Sequence, residues 1–222
     1  MKAMILAAGR GERLRPLTDS RPKPMVEVAG KPLIAYQVER LVRAGFHQIV
    51  VNTAYLGEQI EQFLGTGTAW GVEICYSHES EALETAGGIA KALPLLGERF
   101  VVVNADIWTT YDYSHLLNTP EALAHLVLVP NPPHKSIGDF GLDNASRRAT
   151  LGSDHTFSGI GVYQRELFSG IAVEKRPLAP ILRDFIAQRA VTGEVFDGAW
   201  VDVGTKERLK QATHLAQTQQ PK

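Results

Sequence analysis

Short apolar runs and helical patterns alternate along most of the chain. Six runs rich in β-branched and other apolar residues predict strands, at residues 3–8, 48–52, 73–77, 100–104, 125–129 and 157–163. Between them, apolar residues at helical spacing predict one helix from Pro32 to Gly45, a second over 56–64, and a third that follows Gly87-Gly88 and ends at Pro94. This strand–helix–strand repetition predicts an α/β fold with a mostly parallel mixed sheet and helices on both faces.

The pattern changes after residue 130. An Asn-Pro-Pro sequence at 131–133 interrupts it, and the segment to Gly152 is polar and poorly periodic. We therefore predict loops and short strands that cover a site, within a single domain spanning residues 1–222. A last helix over 206–216 has its leucine and alanine residues on one side, and residues 217–222 are expected to form a frayed tail.

The composition excludes several classes of protein. Hydrophobic residues make up 44% and the formal net charge is -1, so no positive field is available to hold nucleic acid or an anionic membrane. The single cysteine, Cys75, supplies neither an internal disulfide nor a thiolate metal cluster, and the seven histidines include no spaced metal pair and are interpreted as structural or solvated. The sequence contains no pattern of a signal peptide or membrane span, which predicts a cytoplasmic protein, with a monomer as the default.

Glycines and arginines are concentrated directly after the first predicted strand. Gly9 and Gly11 allow backbone amides to turn toward an anion, at the edge where α/β sheets bind ligands. The stretch is not a dinucleotide fingerprint, since Leu14 occupies the place of the third glycine, and no Gly-Lys-Ser/Thr follows to make a Walker phosphate loop. Arginines at positions 10, 13 and 15 favour a polyphosphate ligand over a turn with solvated side chains.

Two further charged residues follow at places where the backbone is restricted or a strand ends. Lys23 lies between Pro22 and Pro24, which suits an ammonium group placed in advance for a phosphoryl group. Asp106 follows the apolar strand that ends at Asn104, where a carboxylate can hold Mg²⁺ against phosphates. Taken alone, Asp106 is also well explained as a turn residue at a strand end.

The ordered motifs are similar to those of the nucleotidylyltransferases that make sugar nucleotides. The family signature is carried by residues 6–18, 22–24 and 30–34, and further matches follow at 83–89 and in the Trp-x-Asp-x-Gly-Thr element at 200–205. The resemblance covers nearly the whole chain and implies the nucleotide-diphospho-sugar transferase fold, a Rossmann-like three-layer α/β/α arrangement. It also implies transfer of a nucleotidyl group from a nucleoside triphosphate to a sugar 1-phosphate, with release of pyrophosphate.

The resemblance assigns roles to individual residues. The implied catalytic residues are Arg13, Lys23, Asp106 and Asp202, and the two aspartates are implied to hold Mg²⁺, a pairing that the residues alone do not give. The implied nucleotide-binding residues are Ala7, Ala8, Gly9, Arg10, Gly11, Glu12, Arg13, Lys23, Asn52, Glu84 and Gly87. The implied sugar-phosphate contacts are Asn104, Asp139, Ser158 and Gly159. Whether Lys135, Arg147 or Arg148 also contacts the sugar is left open.

Gly87 and Gly88 have two explanations. In the family, the matching loop holds base and sugar, which implies that a flat base lies on the glycine backbone and that the first amides of the third helix face the ligand. A plain helix start capped by Thr85 explains the same residues, and the two explanations are compatible.

Within the family, the chain resembles the short uridylyltransferases that act on N-acetylmuramic acid 1-phosphate in peptidoglycan recycling. The short length, the motifs at 84–88, 138–140 and 200–205, and the lack of the Glu-Lys-Pro tripeptide of longer relatives carry this resemblance. It implies UTP and a sugar 1-phosphate as partners. A guanylyl-, cytidylyl- or thymidylyltransferase acting on mannose, heptose, glucose or phosphocholine is the nearer alternative. A non-catalytic nucleotide-sugar sensor is disfavoured because all four implied catalytic residues are present.

Overall fold

Residues 1–218 are described by a computed structural model, in which the strands and helices alternate. The strands are β1 (Lys2–Leu6), β2 (Glu27–Val28), β3 (Lys31–Pro32), β4 (Gln48–Thr53), β5 (Glu73–His78), β6 (Arg99–Asn104), β7 (Ile107–Thr109), β8 (Ala124–Pro130), β9 (Phe140–Asp143), β10 (Arg148–Gln164), β11 (Val191–Val195) and β12 (Trp200–Asp202). The α-helices are α1 (Leu33–Arg43), α2 (Gly57–Leu64), α3 (Glu84–Ala92), α4 (Leu178–Ala187) and α5 (Lys206–Thr218). None of the helices in this part of the chain is long and apolar enough to cross a membrane.

The large sheet has the strand order β11-β8-β10-β6-β1-β4-β5, with β9 paired to β10. Strand β1 pairs in parallel with both β4 and β6, and β4 pairs in parallel with β5. Strand β10 runs antiparallel to β6 and β8, which makes the sheet mixed. The chain leaves β1 toward β4 and β5 on one side and returns to β6 on the other. This reversal opens a cleft at the carboxyl ends of the three central strands.

Both faces of the sheet are covered, because successive side chains of a strand point to opposite faces. Ala3 and Ile5 of β1 belong to a core that also contains Ile34 of α1 and Ile60 of α2. Met4, between them in sequence, belongs to the opposite core, which also contains side chains of α3 and α4. The three-layer α/β/α arrangement is therefore confirmed.

A smaller third core lies beneath α5. It joins Leu14, from the loop after β1, to Trp108 of β7, Val201 of β12 and Ala212 of α5. Strands β7 and β12 pair antiparallel in a two-stranded sheet of their own. This core fixes the glycine–arginine loop relative to β12, although about 190 residues separate them in the sequence.

All six predicted strands are present, as β1, β4, β5, β6, β8 and the second part of β10. Helices α1, α2 and α5 confirm three of the four predicted helices. Segment 131–152 contains β9 and the start of β10, in agreement with the predicted mixture of loops and short strands.

Two predicted boundaries are wrong. Helix α3 begins at Glu84, so Gly87 and Gly88 lie inside the helix instead of preceding it. Gln217 and Thr218 continue α5, and the remainder of the predicted tail, 219–222, lies outside the described residues.

The hydrophobic pattern does not reveal β7 and β12, which are three residues long and too short to show a period. The missed helix α4 does have a sequence signal. Pro177 precedes it, and its buried residues Leu178, Leu182 and Ile186 recur every four positions.

Candidate active site

A cavity of about 360 Å³ opens at the carboxyl ends of β1, β4 and β6. It brings together eight of the residues singled out in the sequence, namely Ala7, Ala8, Gly9, Lys23, Asn52, Glu84, Asn104 and Asp106. The remaining lining residues are Leu6, Pro24, Glu79, Ala82, Thr85, Ala105 and Lys175. Parallel strands end at one edge, and for this reason residues far apart in the sequence meet here.

The loop after β1 is held in a defined turn by its own polar groups. The Thr18 hydroxyl donates to the Gly11 carbonyl over 2.8 Å, and the Leu14 amide donates to the same carbonyl over 3.0 Å. The Arg10 guanidinium lies 3.7 Å from the centroid of the Tyr55 ring and donates to the Thr18 carbonyl over 2.6 Å. Arg10 is therefore held by the protein and lies outside the lining of the cavity, so its nucleotide contact stays a prediction.

The other two arginines of this loop differ in their surroundings. Arg15 is exposed and pairs with Asp19 over 2.7 Å, as expected of a solvated arginine. Arg13 lies beside Glu12 on the 3₁₀ turn Glu12–Leu14, and its Nη2 is 3.0 Å from the position that a Cβ on Gly204 would take. Arg13 is thus directed toward β12, whereas the sequence presents the three arginines as equivalent.

Lys23 is buried, with only 8% of its surface exposed, at the start of the 3₁₀ turn Lys23–Met25. Its ammonium forms a close ion pair with the Asp106 carboxylate. Burying an ammonium is costly unless an anion compensates it. The fold therefore holds this compensated charge in the wall of the cavity, so Lys23 is not a solvated surface lysine.

Asp106 and Asp202 are brought together by the pairing of β7 with β12. Asp202 lies opposite Ile107 in this ladder, and the Val203 amide donates to the Asp106 carbonyl over 2.8 Å. The Asp202 carboxylate forms a close ion pair with Arg208 of α5. The two implied metal ligands are thus neighbours across a short antiparallel pair of strands.

The chemistry of these groups fits a divalent cation. Within residues 1–218, no three His, Cys, Asp or Glu side chains cluster in a way that could hold a metal ion by themselves. Mg²⁺ needs no such cluster, because it binds one or two carboxylates together with substrate phosphates and water. The Asp202 Oδ1 atom is buried and has no hydrogen-bond partner, which leaves a lone pair that a cation would satisfy.

A buried polar pair in the wall of the cavity positions the loop after β1. The Asn52 side chain accepts from the Ala7 amide over 2.8 Å and donates to Glu79 Oε1 over 2.7 Å. The other oxygen of Glu79 accepts from the Leu83 amide over 2.8 Å. Glu79 is 5% exposed and links β4, the loop after β1 and the start of α3. The sequence gives no motif for this residue, which becomes recognisable only once its partners are seen.

Two amides in the first turn of α3 are bonded to another part of the protein. Ala86 and Gly87 donate their amides to the Arg176 carbonyl, over 3.0 and 3.3 Å, and Arg176 donates its own amide to the Leu83 carbonyl over 3.0 Å. Residues 172–177, here called the strap, therefore close this helix end. The strap also carries Lys175 into the lining of the cavity. The Arg176 carbonyl therefore occupies the Ala86 and Gly87 amides, whereas Glu84 and Thr85, at the start of the helix, line the cavity. The implied nucleotide contacts of Glu84 and Gly87 stay predictions.

Gly87 is required for the close approach of the strap. A Cβ at this position would lie 2.0 Å from the Glu174 carbonyl oxygen, far inside contact distance. Gly87→Ala is therefore expected to destabilise the protein by about 1–3 kcal/mol, although alanine favours helix by about 1 kcal/mol. Urea unfolding of the wild-type protein and of Gly87→Ala measures the difference in their free energies of unfolding.

Gly97→Ala is the matched control, because its Cβ would meet only the Arg99 carbonyl at an ordinary 3.8 Å. Equal stabilities of the two variants would show that the strap does not constrain α3.

A second cavity, of about 380 Å³, adjoins the first and shares Glu84, Thr85 and Asn104 with it. Its other lining residues are Asp139, Phe140, Phe157, Pro177, Leu178, Ala179 and Leu182. The Asp139 carboxylate accepts from the Phe157 amide over 2.9 Å and from Lys135 Nζ over 2.5 Å. The implied sugar contact Asp139 thus lies in an adjoining, largely apolar compartment.

Ser158 and Gly159 form a bulge of β10 between Phe157 and Ile160. The Ser158 hydroxyl is buried and donates to the Val127 carbonyl over 2.6 Å, while Gly159 packs against the Asn104 side chain. Both residues support the wall of the site and do not line either cavity. Their contact with the sugar stays a prediction.

The three cations of segment 131–152 are separated by the fold. Lys135 reaches Asp139 at the second cavity. Arg147 lies in the turn before β10, and Arg148 donates to the Arg189 carbonyl. Lys135 is the one of the three that the structure places beside the predicted sugar site.

A family model described as nucleotidyl transferase matches residues 2–219. The chain belongs to this family. This is the family that the sequence motifs imply.

Individual relatives span the chain to different extents. N-acetylmuramate alpha-1-phosphate uridylyltransferase of Neisseria meningitidis serogroup B is 54% identical over 227 residues, which cover 97% of this chain and 98% of that protein. Mannose-1-phosphate guanylyltransferase catalytic subunit beta of Drosophila melanogaster is 43% identical over 120 residues, which cover 52% of this chain and 32% of that protein.

A solved structure confirms the fold of this nucleotidyltransferase. A candidate glucose-1-phosphate thymidylyltransferase of Bacillus anthracis, in complex with sucrose, superposes with a TM-score of 0.88 at 24% identity. The superposition covers 100% of this chain and 97% of that chain. At this identity the likeness supports the nucleotide-diphospho-sugar transferase fold and nothing about the substrate.

The histidines of this nucleotidyltransferase are not all alike. His125 is buried in β8, with Nδ1 2.9 Å from the Thr192 hydroxyl, and burial lowers its pKa, as for a neutral histidine of the core. His134 instead lies beside the active site, 3.5 Å from Asp202 Oδ1. No motif surrounds His134, so the sequence does not distinguish it from the others.

Proposed function

We propose that this nucleotidyltransferase transfers the uridylyl group of UTP to N-acetylmuramic acid 1-phosphate, forming UDP-N-acetylmuramic acid in the recycling of peptidoglycan. The observation that carries the proposal is the 54% identity, over nearly the whole of both chains, to the Neisseria meningitidis enzyme of that specificity. Candidate residues for both substrates, such as Lys23 for the nucleotide and Asp139 for the sugar phosphate, line adjoining cavities of one chain, so we take the monomer to be the active unit. We place the reaction in the cytoplasm, where nucleoside triphosphates are available.

The reaction depends on how the two substrates are positioned and not on proton transfer. An oxygen of the sugar phosphate attacks the α-phosphorus of UTP in line, and pyrophosphate leaves with the electron pair of the broken P–O bond. The attacking oxygen is already anionic, so no general base is needed. The protein has to hold two highly charged anions in contact, and it does this with oriented positive groups.

Lys23 and Arg13 supply the positive charge in this mechanism. Lys23 is fixed at the cavity by a restricted backbone and by Asp106, so its ammonium meets charge that grows at the reacting phosphates. Arg13 lies beside Gly204 and grips the triphosphate. Asp106 and Asp202 would hold Mg²⁺, which when bound neutralises phosphate charge as a Lewis acid.

The second cavity is proposed to receive the sugar. The muramic sugar carries a lactyl ether with its own carboxylate, so its pocket needs space and a nearby cation. About 380 Å³ with apolar walls, such as Phe140 and Leu178, provides the space. Lys135 at Asp139 provides the cation.

On this proposal, N-acetylmuramic acid 1-phosphate is used with a kcat/KM about 10- to 200-fold higher than N-acetylglucosamine 1-phosphate, because the latter lacks the lactyl contacts. Steady-state kinetics with UTP and each sugar phosphate measures the ratio. Lys135→Met is expected to reduce the ratio, and Arg148→Met, whose side chain is held at the Arg189 carbonyl, is the control. A higher kcat/KM with glucose 1-phosphate or mannose 1-phosphate would refute this choice of sugar.

A guanylyltransferase acting on mannose 1-phosphate is the second candidate, favoured by the 43% identity of half the chain to the Drosophila melanogaster protein. Base contacts differ between the two candidates, whereas phosphate contacts do not. Competition between UTP and GTP for the metal-loaded enzyme therefore separates them. Preferential binding of GTP would favour the second candidate.

A further inference from the structure

A buried arginine connects the proposed metal site to residues 134–139, which lead to the second cavity. Arg208 of α5 is 9% exposed. Its Nη1 forms a close ion pair with Asp202 Oδ2 and lies 2.9 Å from Nε2 of His134. The sequence gives no signal for either contact, since Arg208 resembles any other cation of an amphipathic helix.

The backbone makes room for this guanidinium. A Cβ on Gly204 would lie 2.6 Å from Arg208 Nη2 and 3.0 Å from Arg13 Nη2. Two guanidinium groups therefore approach Gly204, one from the loop after β1 and the other from α5. A side chain at Gly204 would displace at least one of them.

The contacts of Arg208 engage one oxygen of Asp202. A guanidinium only donates, so in its contact with Arg208 the His134 Nε2 atom is the acceptor. The other carboxylate oxygen, Asp202 Oδ1, is buried, lies 3.5 Å from His134 Nε2 and has no hydrogen-bond partner. Arg208 thus fixes one carboxylate oxygen and leaves the other unpartnered.

His134 belongs to the segment that ends at the sugar cavity. The next residue, Lys135, reaches Asp139 Oδ2 over 2.5 Å, and Asp139 lines the second cavity. A path of direct contacts therefore runs from Asp139 through the 134–139 backbone to His134, Arg208 and Asp202.

We propose that Arg208 is a positioning residue that orients Asp202 toward the divalent cation, and that His134 anchors residues 134–139 to Arg208. This proposal rests on the metal site of the proposed function but not on the identity of the nucleotide or the sugar. Groups that hold a metal-ligating carboxylate typically change metal affinity or activity 10- to 100-fold when removed.

The test measures Mn²⁺ binding to the full chain by water-proton relaxation, without nucleotide or sugar. Arg208→Met is expected to weaken Mn²⁺ binding by about 10- to 100-fold. Arg208→Lys, which keeps a cationic donor, is expected to restore part of the loss. Lys210→Met is the matched control, because it removes the same charge from an exposed position of α5. Unchanged or tighter Mn²⁺ binding by Arg208→Met would overturn the proposal and show that Arg208 only competes with the cation.

His134→Ala keeps the test valid if the buried Arg208→Met variant does not fold, since the His134 side chain is 45% exposed. It is expected to weaken Mn²⁺ binding in the same direction and to raise the KM for the sugar phosphate while the KM for UTP stays unchanged. If neither Mn²⁺ binding nor the sugar-phosphate KM changes, the anchoring role of His134 is refuted. Wild-type protein that binds Mn²⁺ but forms no UDP-sugar would refute the proposed function alone.

Discussion

Asp106→Asn and Asp202→Asn are each expected to lower kcat by about 10²- to 10⁴-fold, a loss of ~3–5 kcal/mol in transition-state stabilisation. The reason is the pairing of β7 with β12, which brings the backbones of Asp106 and Asp202 together, and the buried Asp202 Oδ1 has no hydrogen-bond partner. Asparagine keeps the shape of the side chain but removes the negative charge that holds a divalent cation. Pyrophosphate release over a range of Mg²⁺ concentrations measures the loss.

Asp143→Asn is the control for this pair, because Asp143 accepts only from Ala145 and Ser146 within an exposed turn. It is expected to retain wild-type kcat at every Mg²⁺ concentration. Wild-type rates at limiting Mg²⁺ for Asp106→Asn or Asp202→Asn would remove that residue from the metal site.

Lys23→Met is expected to lower kcat by about 10²- to 10³-fold, with a much smaller effect on UTP affinity. The buried ammonium is held by Asp106 at the cavity before any substrate arrives, so it acts chiefly on charge that develops during transfer. Arg13→Ala is expected to weaken UTP binding as well as turnover, since it grips charge present in both ground and transition states. Binding titrations and single-turnover rates separate the two effects.

Lys31→Met provides the comparison for Lys23→Met, because Lys31 is a half-exposed lysine paired with Glu39 away from the cavity. Lys31→Met is expected to leave both kcat and the affinity for UTP unchanged. If Lys23→Met and Arg13→Ala reduced UTP affinity and rate by equal factors, the assigned division of roles would be wrong.

The phosphate side of the site can be predicted from sequence because its residues are adjacent in sequence. Gly9 and Lys23 lie in short motifs directly after a recognisable strand, and both line the cavity. The pairing of Asp106 with Asp202 cannot be predicted in this way. It depends on β7 and β12, whose three-residue strands carry no periodic signal.

The start of α3 shows how tertiary contacts override a local pattern. Two adjacent glycines suggest a loop before a helix, yet the helix runs through them from Glu84. The strap supplies the reason, since its carbonyl caps the first amides and its backbone needs the space that Gly87 leaves. Neither contact is visible until residues 172–177 are seen to fold back on α3.

The residues that sequence reasoning misses are those whose partners lie in distant elements. Glu79 bonds Asn52 and Leu83, and Arg208 bonds Asp202 and His134. The sequence around Glu79 and around Arg208 does not distinguish either residue from an exposed charged residue. Burial of the charge, which only the fold creates, distinguishes each of them from a solvated residue.

Formation of UDP-N-acetylmuramic acid from UTP and N-acetylmuramic acid 1-phosphate is the most direct test of the proposed function. Purified protein, Mg²⁺ and both substrates are combined, pyrophosphate is measured continuously and the sugar nucleotide is identified by mass spectrometry. We expect equal amounts of the two products, dependence on Mg²⁺, and a lower kcat/KM for GTP with mannose 1-phosphate. No pyrophosphate with UTP and N-acetylmuramic acid 1-phosphate, together with turnover of GTP and mannose 1-phosphate, would contradict it.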